Sequence, residues 1–418
     1  MLRVSCALMI RGHPCALCRA RRASPGSDFR FPEEGYVVIY LDQAATSFPK
    51  PPGVAEAIMD YLAGAGNPGR SGHRLARFAD DVVWSARADV AKLFAVADPA
   101  QVIFTMNATM ALNIALQGVL RPGDRVLCSS FEHNSVVRPL HALGAVGVKW
   151  EALPPSADCP VDLDRLEQDL RSGAVRAVVV SHGSNVTGAV LPLAEVRRLT
   201  LEHGALLVVD AAQTAGHVPL SIADADLIAC SGHKGLLGPQ GTGVLVVSPG
   251  VEVRPLFQGG TGGRSEQLEQ PRWLPFALES GTPNGAGIAG LAAGVRHLMA
   301  RGIPELAAHE ETLRRRLVEG LSALPGVTVI EQPSPERPVP VVSITMRSRL
   351  PGTVAELLEE RAGILVRGGL HCSPQAHRTV GTFPSGAVRF GMSHETGTDE
   401  VDAAVAAVAE IAEGAGLN

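Results

Sequence analysis

The sequence predicts an α/β fold, with a large domain on a mostly parallel seven-stranded sheet and a smaller α+β C-terminal domain. Three observations lead there. From residue 100 onward, short β-branched runs alternate with amphipathic stretches of helical period. The runs are almost wholly apolar, as strands covered on both faces must be. After residue 290 the order changes, to two helices in succession and then strands mixed with helices.

In chain order, the expected strands of the large sheet are 102–104, 125–129, 147–150, 177–181, 206–210, 227–231 and 244–247, all read as buried. Helical patterns fall between most of them, for example 162–170 and 193–203. Two helices should occupy 287–324 and part near Gly302, where glycine breaks the pattern. Strands at 327–330, 341–345, 365–366 and 387–390 follow, with helices at 354–361 and from 400. The domains are then 36–290 and 291–418, the first folded segment after residue 36 packing with the small domain. Residues 1–35 carry five arginines before the first acid at Asp28 and are expected to be a disordered extension.

Composition narrows the function. Hydrophobic residues make 46% of the 418, enough for a sizeable core, which excludes a disordered chain. A net charge of -5 and 4% aromatics give nucleic acid or an anionic membrane no general reason to bind. No apolar run nears the roughly 18 residues of a spanning helix. Seven cysteines, an odd number spread over a long chain, are not a disulfide framework, so a reducing, cytoplasmic setting is expected. Cys15 and Cys18 form a lone pair without further ligands at zinc-finger spacing.

Two glycine patterns are decoys. Residues 64–69 (GAGNPG) and 285–290 (GAGIAG) match a dinucleotide fingerprint, but neither follows a buried strand in a βαβ unit. The chemistry instead collects at three strand ends, where ligands of such sheets bind. Asp210 ends one apolar run, Ser231-Gly232-His233-Lys234 ends the next, and Ser181 to Gly188 (SHGSNVTG) ends a third. Only four lysines exist, and Lys234 alone lies in a loop of small residues; Lys50 abuts Pro51, while Lys92 and Lys149 sit in ordinary helix and strand patterns. An amine beside a carboxylate suits pyridoxal 5'-phosphate, which needs a lysine for its Schiff base and an acid at its ring nitrogen. Ala108 and Thr109, in the segment from Asn107 at a helix start, would take the phosphate, with Ser231 and His233 as further donors.

With these residues assembled, the chain resembles the class V aminotransferase family of fold-type I pyridoxal-phosphate enzymes, in its cysteine desulfurase and selenocysteine lyase branch. The resemblance rests on YLDQAAT at 40–46, EHNS at 132–135, DAAQ at 210–213, SGHK at 231–234, SGTPN at 280–284 and RGGLHC at 367–372. It implies that His133 stacks on the cofactor ring and moves protons at the substrate sulfur, and that Gln213 bonds the ring hydroxyl. Asn185, Arg389 and Arg367 would bind the substrate, Asn185 and Arg389 holding its carboxylate. Thr282 would reach the partner subunit's phosphate, which implies a homodimer. The chain departs from the family pattern at Asn107-Ala108-Thr109-Met110, which keeps one phosphate-loop hydroxyl and loses the acid, at Thr396-Gly397, and across 373–385.

Cys372 decides among reactions, because fold alone does not. It follows Gly368-Gly369 and His371 and should ride an exposed, mobile loop, unlike Cys128 and Cys230 inside strands. Arg367 and His371 would supply positive or polar groups that favour its thiolate. The expected activity is removal of sulfur from L-cysteine, giving L-alanine and a persulfide on Cys372 for an acceptor protein; L-selenocysteine stays open as a substrate. The alternatives are another class V activity (selenocysteine lyase, epimerase or β-lyase) in which Cys372 is idle, and a noncatalytic scaffold.

Overall fold

A computed structural model describes residues 9–10, 13–14, 38–69, 71–261 and 266–414. The Cys15–Cys18 pair and the expected disorder of 1–35 lie outside these residues, apart from a two-residue ribbon pairing Met9–Ile10 with His13–Pro14.

In chain order the elements are β1 (Ile39–Tyr40), α1 (Val54–Gly64), α2 (Arg74–Leu93), β2 (Val102–Thr105), α3 (Ala108–Val119), β3 (Arg125–Ser129), α4 (Asn134–Gly144), β4 (Lys149–Leu153), α5 (Leu163–Arg171), β5 (Val175–Ser181), α6 (Leu193–Glu202), β6 (Leu206–Asp210), β7 (Leu227–Ser231) and β8 (Gly243–Val247). Then come α7 (Gly285–Arg301), α8 (Ile303–Ser322), β9 (Val327–Ile330), β10 (Val341–Met346), α9 (Pro351–Ala362), β11 (Ile364–Leu365), β12 (Arg367–Gly369), α10 (Pro374–Thr379), β13 (Ala387–Gly391) and α11 (Thr398–Glu413).

Seven strands form the large sheet in the order β2-β8-β7-β6-β5-β3-β4, parallel except that β8 runs against both neighbours. The strands β5, β6, β7 and β8 are buried along nearly their whole length, with two apolar clusters covering them from either face. β4 corrects the expectation of seven buried strands: it begins two residues late and exposes Lys149 and Glu151. Its edge position explains both. Glu151 there pairs with Arg125 and Arg165, charges that blunt an open edge.

The small sheet, β9-β10-β13-β12, is antiparallel. The expected single strand at 365–366 is two: β11 runs parallel to β1, and β12 pairs with β13. Through that pairing Ile39 and Leu41 enter the small-domain core. The expected boundary at 290/291 falls inside α7, whose Leu291, Ala292, Val295 and Leu298 pack in the large-domain core. The cores change over within α8, after Leu306 and before Leu313. Glycines on one face of α7 hid this from the sequence, because they mark close approach rather than apolar period. A Cβ on Gly294 would sit 2.6 Å from the Leu236 carbonyl oxygen.

Candidate active site

The site is assembled from the C-terminal ends of β5, β6 and β7. Asp210, the last residue of β6, is buried and accepts from the Ala212 amide (2.9 Å) and the Ser135 hydroxyl (3.3 Å). Burial pushes its carboxyl above the usual range; the Ala212 amide, the Lys234 charge and Ser135 pull the other way. Lys234, three residues past β7, is held down to about 8 by desolvation and the positive charge of Arg389, against the pull of Asp210. Lowered this far, the amine gives up its proton far more readily than an ordinary lysine, as a nucleophile or base requires.

The loop around Lys234 is glycine-rich because its backbone packs against neighbouring chain. A Cβ on Gly232 would meet Thr242 Oγ1 at 2.1 Å, and one on Gly235 the Ala215 carbonyl at 2.2 Å. The glycines let neighbouring backbones touch, which fixes the lysine. A second support comes from the N-terminal segment: the His233 carbonyl accepts from the Ser47 amide (2.9 Å), Thr46 Oγ1 (3.0 Å) and Lys50 Nζ (3.0 Å). Lys50, set aside in the sequence as a residue abutting proline, is thus bonded to the residue before Lys234, and burial lowers it to about 8. No local pattern signals this, since the partners are 183 residues apart.

The phosphate-side residues also converge. Asn107 caps α3 by accepting from the Met110 amide (2.9 Å), and the first helical amide, of Ala108, donates to Ser231 Oγ (3.3 Å). This puts Ser231 against the positive end of α3, with Thr109 exposed next in line. A Cβ on Gly243, at the start of β8, would lie 2.5 Å from Asn107, so this close approach admits only glycine. His233 Nδ1 is buried with no hydrogen-bond partner among the described residues. Gln213, also buried, donates to the Ala44 carbonyl (3.1 Å). A partnerless imidazole nitrogen beside a lysine, a helix N-terminus with a hydroxyl and a buried acid form a donor set that fits a phosphorylated aldehyde such as pyridoxal phosphate.

His133 caps α4, and its Nδ1 accepts from the Ser135 amide (3.0 Å), which places the ring proton on Nε2. Burial, with the charges of Lys234, Arg367, Arg389 and Arg138, lowers it to about 4, so the ring is neutral at pH 7. Ser135 joins the histidine to Asp210, its amide donating to His133 Nδ1 and its hydroxyl to the carboxylate.

Cys372 is exposed, as expected, but its backbone is not loose. His371 and Cys372 both adopt left-handed backbone angles, φ 51° and 58°. That conformation costs an ordinary residue about 1–2 kcal/mol, so the surroundings must hold it. The Cys372 carbonyl accepts from the Asn134 amide (2.9 Å), beside His133. Asn185 Nδ2 donates to the His371 carbonyl (2.8 Å), and Ser373 Oγ donates to Asn185 Oδ1 (2.7 Å). The expectation of a mobile loop therefore gives way to a tied turn with a free thiol. Arg367 Nη2 lies 3.6 Å from the sulfur. His371 does not share that role: buried and bonded to the Arg367 carbonyl (3.0 Å) and His377 (3.3 Å), it is lowered to about 3 and carries no charge to offer.

Arg389 is almost wholly buried on β13, directly across from Arg367 on β12. Its Nη2 donates to Asp42 (2.8 Å) and its Nη1 to the Asn185 carbonyl (3.4 Å), so a bound carboxylate would share the guanidinium rather than take the whole fork. Asp42, from the segment after β1, is a site residue the sequence reading did not single out. Thr282 stands apart: it is exposed, and its Oγ1 is 3.5 Å from Asn67 in the α1–α2 loop.

Comparison with known proteins shows the family and the fold. A family model described as aminotransferase class-V matches residues 39–404. A probable cysteine desulfurase of Methanothermobacter thermautotrophicus is 33% identical over 372 residues, covering 87% of this chain and 91% of its own. Among solved structures, the apo cysteine desulfurase of Thermococcus onnurineus aligns with a TM-score of 0.84 at 31% identity, covering 90% of this chain and 95% of its own. The cysteine desulfurase CsdA of Escherichia coli, described as an S-sulfonic acid, aligns at 0.81 and 30% identity over 90% and 95%.

Proposed function

Since the chain belongs to the class V aminotransferase family, we propose that it is a cysteine desulfurase that uses pyridoxal 5'-phosphate and carries the extracted sulfur on Cys372. When bound, the cofactor supplies an electron sink that weakens bonds at the substrate α-carbon and, through it, the carbon–sulfur bond. The remaining work falls to the chain. Lys234 would anchor the cofactor and, once the substrate amine has displaced it, would take the α-proton, a role its lowered pKa of about 8 favours. Asp210, whose ionised form is favoured by the Ala212 amide, the Lys234 charge and Ser135 against the opposing effect of burial, would face the ring nitrogen, and a proton shared between them would offset that burial. Ala108, Thr109, Ser231 and His233 would hold the phosphate, and Gln213 the ring hydroxyl. Arg389 and Asn185 would orient the substrate carboxylate, with Arg367 on the Cys372 side of the substrate.

His133, neutral with its proton on Nε2, can exchange a proton with the substrate thiol. The sulfur of Cys372 then attacks the substrate sulfur. A sulfur–sulfur bond forms, the carbon–sulfur bond breaks, and the carbon left behind takes a proton and becomes the methyl group of L-alanine. Cys372 ends as a persulfide, ready for an acceptor protein. Arg367 donates to the sulfur while it bears negative charge. The observation that carries this reading is the exposed Cys372 thiol on a turn bonded to both Asn134 and Asn185, which brings it to the His133 end of the site.

The active form is a homodimer in the cytoplasm, with Thr282 bonding the partner's phosphate. Exposed Met59, Leu62, Leu75 and Phe78 on α1 and α2 support a buried interface on that side. Among the described residues no helix is long and apolar enough to cross a membrane. The test is to incubate the holoenzyme with L-cysteine and measure alanine and sulfide, with Cys372→Ala alongside. Alanine from the native chain and little from the variant supports the proposal; equal turnover by the two would leave Cys372 idle and return the alternative lyase reading.

A further inference from the structure

Away from the residues assigned above, groups from both cores meet at the junction of the domains. His297 lies on α7, which packs in the large-domain core, while His394 and Glu395 follow β13 in the small domain. A ring nitrogen of each histidine and a carboxylate oxygen of Glu395 lie within 4.8 Å of one another. The two rings stand 5.7 Å apart, tilted by 34°. Nε2 of both is buried and has no hydrogen-bond partner among the described residues. The His394 side chain is only 5% exposed, and the Glu395 oxygen at 3.5 Å from its Nε2 is too far for a good hydrogen bond.

Unpaired buried nitrogens are costly, so two of them facing one carboxylate call for a ligand. Glu395 is about half exposed, which gives it freedom to close and gives a ligand a way in. Further in, Glu310 is buried and accepts from or shares a proton with His217 Nδ1 at 2.9 Å. His217 in turn packs on the lysine loop, where a Cβ on Gly235 would meet its Cδ2 at 2.8 Å. The loop carrying His394 is itself anchored, because the Thr396 carbonyl lies 3.0 Å from His309 Nε2 on α8.

The geometry points to a binding site for a divalent first-row transition cation of the zinc type, held by His297, His394 and Glu395 and joining the two domains. Two imidazoles and one carboxylate are a nitrogen-rich set that suits zinc and its neighbours, whereas calcium and magnesium prefer oxygen alone. Bonds of about 2.0–2.1 Å would draw the three ligand atoms closer than they stand, and Glu395 is the arm free to move. Neither domain supplies the set alone, so the cation would act as a staple between α7 and the segment after β13. Glu310 and His217 lie close enough to His394 for their charges to act on it, and His217 packs on the loop that carries Lys234.

The experiment uses the full-length holoenzyme, stripped with chelator and alkylated so that exposed thiols do not compete. Zinc is titrated by calorimetry, bound metal is counted, and the melting temperature is followed with and without zinc. The expected result is one zinc per protomer, a higher melting temperature with zinc, and at least tenfold weaker binding in both His394→Gln and Glu395→Gln. Glu395→Gln alters an exposed side chain and keeps the test valid if the buried variant folds poorly. No saturable binding, or binding and melting shifts equal in native chain and Glu395→Gln, would overturn the site and leave a polar domain junction.

Discussion

The lysine and the cysteine are held in opposite ways. Lys234 follows an interior strand of the buried, mostly parallel sheet, and its loop is wedged between neighbouring backbones. Cys372 sits on a turn of two left-handed residues in the small domain, maintained by hydrogen bonds to Asn134 and Asn185 of the large one. One group is placed by packing, the other by a few polar contacts that work against local strain. That division suits the proposed chemistry, which needs a fixed amine and a thiol that an acceptor can reach: the sheet holds the lysine loop, and the thiol stays in solvent.

The contrast can be broken from either side. Lys234→Ala should lose both cofactor retention and alanine formation, whereas Cys372→Ala should keep the cofactor's visible absorbance and lose persulfide; absorbance and alanine assays on the two variants check this. Asp210→Asn preserves the shape but removes the charge, and should lower turnover by about 10²-fold or more while the turn at Cys372 stays intact, as seen by unchanged alkylation of its thiol.

Asn185→Ala attacks the other side. It removes the donor to the His371 carbonyl and the acceptor of Ser373, and should cost about 1–3 kcal/mol in a denaturant melt. Persulfide yield should fall further than cofactor affinity does. The smallest effect is a pH dependence. Because Lys234 is lowered to about 8 from 10.5, its amine loses its proton as pH rises through about 8. Recombination of the cofactor-free chain with pyridoxal phosphate should therefore speed up toward pH 8 and level off above it. A rate still climbing toward pH 10 would mean an ordinary surface-like amine.

What the sequence discloses follows the same division. The sheet-end residues Asp210, Ser231, Lys234 and Asn185 are legible because apolar runs announce strands, and strand ends are where such sheets place their chemistry. The cap at Asn107 is legible for a similar local reason. The bond from Lys50 to His233 and the pairing of Arg389 with Asp42 are not, since the latter spans 347 residues and no periodicity encodes it. The neutrality of His371 was also hidden, because a histidine's charge depends on burial rather than on its neighbours in sequence. The exposed edge of β4 was missed because an apolar run does not reveal which strand ends the sheet.

The most direct test of the account is to mix the holoenzyme with L-cysteine, digest it without reductant, and weigh the peptide that contains Cys372. The account predicts that this peptide gains one sulfur atom, in step with the alanine released, and that peptides containing Cys128, Cys159 or Cys230 gain none. Alanine release with the Cys372 peptide unchanged in mass would contradict it.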